Sequence, residues 1–456
     1  MKKMLLIPLS LLTFNVYAET EFSKLKNTLS FEYLRENRVY EYDAKQLLGE
    51  VLKVSPDVQA ALSRLEASQD EKMAADWYFL PNLTLSNESK FYMPRPGAPE
   101  RGIEHNLSLS SELRLWGSGL TDELDAAQLD LVAANYQLSS AVISSYYESL
   151  KNIEKIEFAH QFLNKSKFYD SKIQQLISLM EKHVDSGLVK KSDLLFASVT
   201  TQKFKEKMLG VESKIQEYIK NINTVAGRKV YSPQYGMAIG ELDTSTLEEL
   251  RILLNEHNIV STNFELLNSL NSLEAERKRA FAQNEMFELK LVTEQNARFN
   301  DQTNIADETS GQVDYAYDPD NDSYVGLSFT IKGLDFTAHK RKDSATNEVV
   351  AKQYEHEKLV SDKLNQLESL SVQLETESRK KVNLEKQISL TYEIVERQFE
   401  EIAIEEANIS DILRNISSIT DLEGLLLTSN NTLIDVKNTI YELKGELPDE
   451  IEAFDN

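Results

Sequence analysis

The stretch LSLSSELRLWGSGLTDELDAAQLDLVAANYQLSSA, from Leu107 to Ala141, changes its hydrophobic period in the middle. Before Trp116, leucines alternate with polar residues, as they do in a strand with one apolar and one polar face. After Gly119, the apolar residues recur at the alternating three- and four-residue spacing of a coiled-coil helix. The stretch therefore predicts a two-faced strand that bends at Gly117 and Gly119 and continues as a long helix.

A second segment repeats this pattern. In VGLSFTIKGLDFTAHKRKDSATNEVVAKQYEHEKLV, Val325–Val360, an alternating strand is followed by a break at Gly333 and then by a helical pattern. Further on, SGLVKKSDLLFAS is matched by RNISSITDLEGLL, and both indicate a turn, at Gly187 and at Asn415, before a Ser/Thr-Asp pair. These pairs end in Asp193 and Asp421 and are expected at helix starts. The chain is therefore interpreted as a duplicated helix–strand–strand–helix unit.

The N-terminus has the features of a secretory signal peptide. Lys2 and Lys3 precede an apolar run, and Val16-Tyr17-Ala18 provides small residues for cleavage. The predicted plan is a signal peptide at 1–18, an N-terminal segment at 19–55, repeat 1 at 56–230, an equatorial linker at 231–245, repeat 2 at 246–445 and a tail at 446–456. Strands are expected at about 83–92, 103–115, 288–300 and 324–332, with a continuous helix around Leu247–Ala282.

The composition excludes several classes of function. A formal net charge of −24 makes nucleic acid a poor partner. The chain has no cysteine, and its six histidines lack the spacing of a metal site. Neither a G-x-S-x-G elbow nor a P-loop is present, so we expect no enzyme, no cofactor and no metal, and energy would have to come from a partner.

The predicted strands have the length of outer-membrane strands, about 9–11 residues. A two-stranded hairpin is not stable alone, and four strands are too few to close a barrel with a lumen. Several chains must then contribute strands, and three copies of four would give twelve. An acidic loop, Asp301–Ser323, suits an exposed position. Aromatic residues at strand ends (Phe91, Tyr92, Trp116 and Tyr324) suit a membrane interface.

These features together resemble the TolC-like outer-membrane channel-tunnel family. DWYFLPNLTLS, Asp76–Ser86, is similar to the family's helix-to-strand entry, and YVGLSFTI, Tyr324–Ile331, to the start of its fourth strand. SGLVKKSDLL and SSITDLEGLL resemble its helix–turn–helix segments, and NTVAGRKVYSP, Asn223–Pro233, the end of its first repeat. The resemblance covers nearly all of the chain after the signal peptide.

The resemblance implies a mainly α fold with β structure, in which a homotrimer builds a twelve-stranded β-barrel in the outer membrane. A long α-helical coiled-coil barrel would extend into the periplasm and narrow at Gly187 and Asn415. Outer-membrane lipid, a periplasmic adaptor protein and an inner-membrane ABC or proton-driven pump would be its partners. Both type I protein secretion and small-molecule efflux fit, and the cargo cannot be predicted.

The family's constriction residues are only partly matched. Asp421 corresponds to one constricting acid, Gly424 occupies the position of the next, and Ile412 and Ser417 stand at the link positions. Asp421, with Glu423 close by, is therefore the candidate pore constriction, since rings of carboxylates select cations. The alternative for Asp421 and Asp193 is simple stabilisation of a helix start by a carboxylate.

A different class of function also explains the helices. A periplasmic coiled-coil adaptor or structural interaction protein would contain long heptad helices. It would carry one helical hairpin within β-rich halves, and not a duplicated unit with two strand pairs. The duplicated order therefore favours the export duct.

Overall fold

The computed structural model describes residues 44–91, 103–185, 190–230, 244–255, 261–283, 287–300, 321–331, 336–402 and 409–445. The chain divides into two compact units. A helical unit comprises Met1–Leu65, Ala134–Asn268 and Glu357–Asn456, and a sheet unit comprises Glu66–Ala133 and Ser269–His356. Each unit takes segments from both sequence repeats, so the units do not coincide with the repeats.

The described elements follow one another in the duplicated order. In chain order they are α1 Ala44–Val54, α2 Pro56–Asp76, a 3-10 turn Trp77–Phe79, β1 Asn82–Phe91, β2 Ile103–Gly117, α3 Leu120–Asp185, α4 Lys191–Val225, α5 Thr244–Asn255, α6 Phe264–Ala282, β3 Phe287–Asn300, β4 Asn321–Ile331, α7 Phe336–Ile402 and α8 Ile409–Lys444. None of the described helices combines the length and the apolar composition that a membrane crossing demands.

The four strands form one antiparallel sheet in the order β1-β2-β3-β4. Each predicted hairpin is present, with β1 paired to β2 and β3 paired to β4. A third ladder joins them, in which Glu104 of β2 pairs with Asn300 and Gly117 pairs with Glu288 of β3. The two repeats therefore share a single sheet, and its outer strands are β1 and β4.

Among the described residues, two apolar clusters pack the helices of the helical unit together. The first joins the later part of α3 to α4, α7 and α8 through Tyr169, Ile173, Leu176, Met180, Ala197, Phe204, Val395, Ile412, Leu413, Ile416 and Ile419. The second joins α5, α7 and α8 through Leu247, Leu250, Leu370, Leu374, Leu433, Ile434, Val436, Ile440 and Leu443. Helices α7 and α8 contribute to both clusters, and α8 supplies more residues to each cluster than α7 does.

A buried polar layer interrupts the apolar contact between α3 and α8. Glu154 of α3 is buried, pairs with Lys437, and accepts a hydrogen bond from Asn438 Nδ2 at 2.8 Å. Next to it, Lys155 Nζ lies 2.5 Å from Asp435 Oδ1. In the first pair α3 provides the acid, and in the second α3 provides the base. A shifted alignment of the two helices would place like charges together, so the pairs fix which residues of α3 face which residues of α8.

Two glycines show the duplication at the helix ends. Gly227 after α4 has φ 65°, and a Cβ there would come within 2.5 Å of Pro56 Cγ at the start of α2. Gly445 after α8 has φ 72°, and its Cβ would come within 2.7 Å of Thr262 O just before α6. Both positions combine a left-handed backbone with a close approach, which only glycine accommodates without strain.

The predicted continuous helix at Leu247–Ala282 is wrong. The structure has two helices here, α5 ending at Asn255 and α6 starting at Phe264. Asn263 caps α6, because its Oδ1 accepts hydrogen bonds from the backbone N–H groups of Glu265 and Leu266 at 3.1 and 3.2 Å. The cap ends any continuous helical pattern at this point.

Several predicted features fall outside the residues that the structure describes. They are the signal peptide at 1–18, the N-terminal segment up to residue 43, most of the linker at 231–245, Tyr92, most of the acidic loop, the turn residue Gly187, the break at Gly333 and the tail at 446–456.

Candidate functional site

The sheet has two chemically distinct faces, fixed by its register. Leu109 lies opposite Leu85, Leu113 opposite Leu291, and Leu291 opposite Leu327, so these residues share one face. Large apolar side chains on this face are exposed: Leu83, Leu85, Leu107, Leu109, Val325, Leu327, Phe329 and Ile331. Not one described side chain on the apolar face is charged. Exposed apolar surface of this extent marks a contact surface.

The opposite face of the sheet is mostly polar. It carries Ser86 and Ser108, whose hydroxyl oxygens lie 2.6 Å apart across β1 and β2. Glu112, Arg114 and Lys290 lie on the same face. The alternation predicted for β2 therefore holds across the sheet, and water is the natural neighbour of this side.

The end of β2 contains a β-bulge between Arg114 and Trp116. The bulge makes Leu115 an extra residue and places Trp116 opposite Leu289, on the apolar face. The Trp116 ring packs against Phe287 with 4.5 Å between centroids. Beyond the bulge, β2 stays paired with β3 as far as Gly117, two residues past the predicted end at about Leu115.

The strand-to-helix transition is closely packed at its two glycines. Gly117 is the buried last residue of β2, and Gly119 directly precedes α3. A Cβ at Gly119 would lie 2.5 Å from the backbone oxygen of Ala282. Ala282 is the last residue of α6, and ion pairs also hold α6 against α3. Lys278 Nζ of α6 lies 3.2 Å from Asp122 Oδ1 and 2.8 Å from Asp125 Oδ2 of α3.

A chain of alternating charges, here named the junction charge chain, crosses the polar face beside this transition. It consists of Glu112, Lys290, Glu288, Arg114 and Glu123. Lys290 Nζ lies 3.3 Å from Glu112 Oε2 and 3.6 Å from Glu288 Oε1. Arg114 lies 3.5 Å from Glu288 Oε1 through Nε, and 2.7 Å from Glu123 Oε2 through Nη1. It connects β2, β3 and the first turn of α3.

The residues predicted near the narrow end of the helical barrel lie in different helices, Asp193 in α4 and Asn415 in α8. Asp193 lies in the first turn of α4, where its backbone N–H donates to Lys190 O at 2.9 Å. A carboxylate in a first turn stabilises the helix through the exposed N–H groups.

The turn predicted at Asn415 is wrong, because Asn415 lies inside helix α8. Its neighbours Ile412, Leu413, Ile416 and Ile419 are buried at helical spacing, which continues the apolar stripe of α8 past this residue. The Asn415 side chain donates a hydrogen bond to Gln398 Oε1 of α7 at 2.8 Å. Asp421 and Glu423 are therefore also interior residues of α8, and not residues of a helix start.

The two candidate constriction carboxylates lie on different faces of α8. Asp421 is exposed and forms an ion pair with Lys207 of α4. Burial, together with the nearby Lys203, lowers the pKa of Lys207. Glu423 is buried, and Lys165 Nζ of α3 donates hydrogen bonds to both of its carboxylate oxygens at 3.1 Å. The structure does not bring the two carboxylates together.

The sequence reasoning missed the junction charge chain. Its signal was present, since Glu112 and Arg114, like Glu288 and Lys290, are spaced by two and so share a strand face. Only the pairing of β2 with β3 brings the two pairs together. Within the described ranges, no group of three or more His, Asp or Glu side chains is placed to hold a metal ion.

This chain is similar to known proteins in its fold, whereas its sequence matches none of the family profiles or curated sequences. The outer membrane protein VceC from Vibrio cholerae aligns over 88% of this chain and 95% of its own, at 12% identity and a TM-score of 0.70. The Campylobacter jejuni CmeC outer membrane channel aligns over 94% of both chains, at 14% identity and a TM-score of 0.67.

The open state of the Neisseria gonorrhoeae MtrE outer membrane channel aligns over 88% of both chains, at 13% identity and a TM-score of 0.64. The chain therefore has the fold of these channels along nearly its whole length. The TolC-like fold class predicted from the sequence is confirmed. The trimeric assembly stays a prediction.

Proposed function

We propose that this chain is the protomer of a homotrimeric exit duct in the outer membrane of a Gram-negative bacterium, with its helices extending into the periplasm. The duct is passive. It would open when a periplasmic adaptor and an inner-membrane ABC or proton-driven pump dock onto it. The fold shared with proteins named as outer-membrane channels supports this proposal.

The observation that carries the proposal is the exposed, uncharged apolar face of the sheet. In water such a face would be a liability for aggregation, whereas in a bilayer it is the surface that lipid requires. The opposite face is polar, as the lumen side of an outer-membrane barrel is. The strands β1 and β4 lie at the ends of the sheet order, so their outer edges can pair with other copies of the chain.

The cargo follows from the pump and not from this chain. A passive pore recognises its cargo weakly, so drug efflux and type I protein secretion fit the same architecture. The genes beside this one distinguish them, because an ABC exporter points to protein secretion and a proton-driven pump to efflux.

Asp421 is the candidate carboxylate for a constriction at the periplasmic end, because it is exposed. Three copies in a trimer would form a ring, and charged rings select ions. Its ion pair with Lys207 offsets part of this charge. The burial of Glu423 against Lys165 argues against including Glu423 in the ring.

The first test is expression of the full chain followed by membrane fractionation and recording in planar bilayers. We expect a heat-dissociable trimer in the outer-membrane fraction and discrete single-channel currents, with Asp421→Ala changing conductance and cation selectivity. A soluble periplasmic monomer without channel activity contradicts the duct, and currents unchanged in Asp421→Ala contradict the ring.

Adjacent residues of β1 provide matched variants. Leu85→Arg places a charge on the apolar face, at a cost of about 2–4 kcal/mol near the bilayer midplane. Thr84→Arg places the same charge on the polar face, opposite the uncharged Ser110. We expect Leu85→Arg to deplete the outer-membrane trimer and Thr84→Arg to leave its amount near that of the unmodified chain. Equal depletion would contradict the assignment of the two faces.

A further inference from the structure

The junction charge chain lies on the face that the proposed duct turns toward water. Its five members alternate in sign, from Glu112 through Lys290, Glu288 and Arg114 to Glu123. Three carboxylates thus face two cations. Glu294 lies on the same face of β3, four residues after Lys290. Its carboxylate oxygens accept hydrogen bonds from Tyr324 Oη at 2.7 Å and from Asn296 Nδ2 at 2.9 Å. This part of the polar face is therefore net negative.

Carboxylates hold the two cations of the junction charge chain close to each other. Arg114 and Lys290 are directly opposite in the β2–β3 ladder, and like charges in that arrangement repel. Glu288 is buried and pairs with both cations, since its Oε1 lies 3.5 Å from Arg114 Nε and 3.6 Å from Lys290 Nζ. The arrangement sets where positive and negative charge stand on this face, because no member can move without unpairing another.

Part of this arrangement is structural, because Arg114 joins Glu288 of β3 to Glu123 of α3. The apolar face carries no charge among its described side chains, and the sheet ladder is formed by backbone groups. A net-negative set of fixed charges on the wall of an aqueous pore has a further physical consequence, because it concentrates cations and repels anions.

We infer that the junction charge chain is a specificity determinant of the duct, a cation-favouring ring at the transition from strands to helices, formed once by each protomer. This inference rests on the proposed function. Glu112 and Lys290 are the members whose charge can be removed with least disturbance of the packing, because both side chains are partly exposed. Glu288 and Arg114 hold the arrangement in place and also link the two strands to α3.

The experiment is a reversal-potential measurement on the purified full-chain trimer in planar bilayers under a KCl gradient. The salt is kept below ~0.1 M, where the Debye length exceeds about 10 Å. Lys290→Gln should shift the reversal potential toward the potassium equilibrium potential. Glu112→Gln should shift it the opposite way. Both are single neutralisations of partly exposed side chains, so each is the control for the other.

A double neutralisation separates the effect of charge from damage to the fold. Glu112→Gln combined with Lys290→Gln removes one charge of each sign and keeps the net charge, so we expect a reversal potential close to that of the unmodified channel. Single variants that conduct but leave the reversal potential unchanged, or that both shift it in one direction, overturn the inference and leave the duct intact. An unmodified chain without currents refutes the proposed function itself.

Discussion

The two long helices of the duplicated chain, α3 and α7, are 66 and 67 residues long but differ in burial. Within the helical unit, α3 buries side chains in almost every turn from Leu138 to Met180. Over its part of the same unit, α7 buries Leu370, Leu374, Ser378, Leu384 and Val395. Equivalent positions in a duplicated sequence have therefore become an internal helix and a partly exposed one.

The exposed part of α7 is not uniformly polar. Leu364, Val372, Val382, Leu390 and Ile394 are exposed, and their spacing places them along one side of the helix, away from the buried residues. Charged residues such as Glu375 and Arg379 alternate with them. In the proposed trimer this side would meet a second copy of the chain. Helix α3 is thus packed within the protomer, whereas α7 keeps an exposed apolar side that the proposed trimer would cover.

The largest expected difference concerns ion pairs. Lys437→Met leaves Glu154 of α3 buried with Asn438 alone, and we expect the loss of about 3–5 kcal/mol of protomer stability because an unpaired charge is left buried. Arg379→Met on α7 breaks the exposed pair with Glu375 and should cost only about 0.3–0.5 kcal/mol. Chemical unfolding of the detergent-solubilised protein, followed by circular dichroism, measures both.

The double variant Glu154→Leu with Lys437→Met provides the control for this prediction. Removal of both charges should recover most of the lost stability, because a well-packed apolar pair replaces a buried ion pair at little cost. Similar losses for Lys437→Met and Arg379→Met would mean that the two helices are equally exposed to water.

A smaller effect is expected on the exposed side of α7. Val372 is 62% exposed, whereas Ile153 of α3 is 1% exposed. Val372→Ser should weaken trimer association by about 1.5 kcal/mol per protomer, the transfer free energy of a buried valine, and leave the helix content of the protomer unchanged. Cross-linking and size-exclusion chromatography over a dilution series measure the association. Dissociation that is unaffected by Val372→Ser would show that this side of α7 lies outside the interface.

The smallest effect concerns pH. Burial, together with the nearby Glu423, raises the pKa of Tyr169 on α3 to about 12. An unfolded tyrosine titrates near pH 10, so above that pH the unfolded chain loses the proton first and the folded state loses stability until about pH 12. Tyr169→Phe should therefore flatten the decrease in melting temperature between pH 9 and 11. Tyr354→Phe, at an exposed tyrosine of α7, is the matched control, and equal slopes for Tyr169→Phe and the unmodified chain would contradict this prediction.

The sequence predicted the elements better than their ends. Periodicity located both hairpins and both long helices, because alternation and heptad spacing are strong over many residues. It failed at Asn415, where an asparagine tolerated in turns lies inside α8, and at Asn263, whose capping role depends on local geometry. It failed again at Leu115, because a bulge changes strand register without leaving a mark in the alternation.

The candidate site was predicted less well than the fold. Trp116, Gly117 and Gly119 lie at the strand-to-helix transition as expected. Asp421 and Glu423 look alike in sequence, two residues apart, but their neighbours on α3 and α4 expose one and bury the other. Two residues along a helix correspond to a rotation of about 200°, so sequence proximity does not imply a shared face.

By itself, the sequence determined a duplicated order of helices and strands with one apolar and one polar strand face, since both are encoded in local periodicity. Only the tertiary structure decided that β2 pairs with β3, which merges two hairpins into one sheet and assembles the junction charge chain. It also decided that α3 is buried while α7 keeps an exposed apolar side. Pairing between distant segments depends on the packing of the whole chain, and helices of equal length and pattern do not reveal which of them lies in the middle.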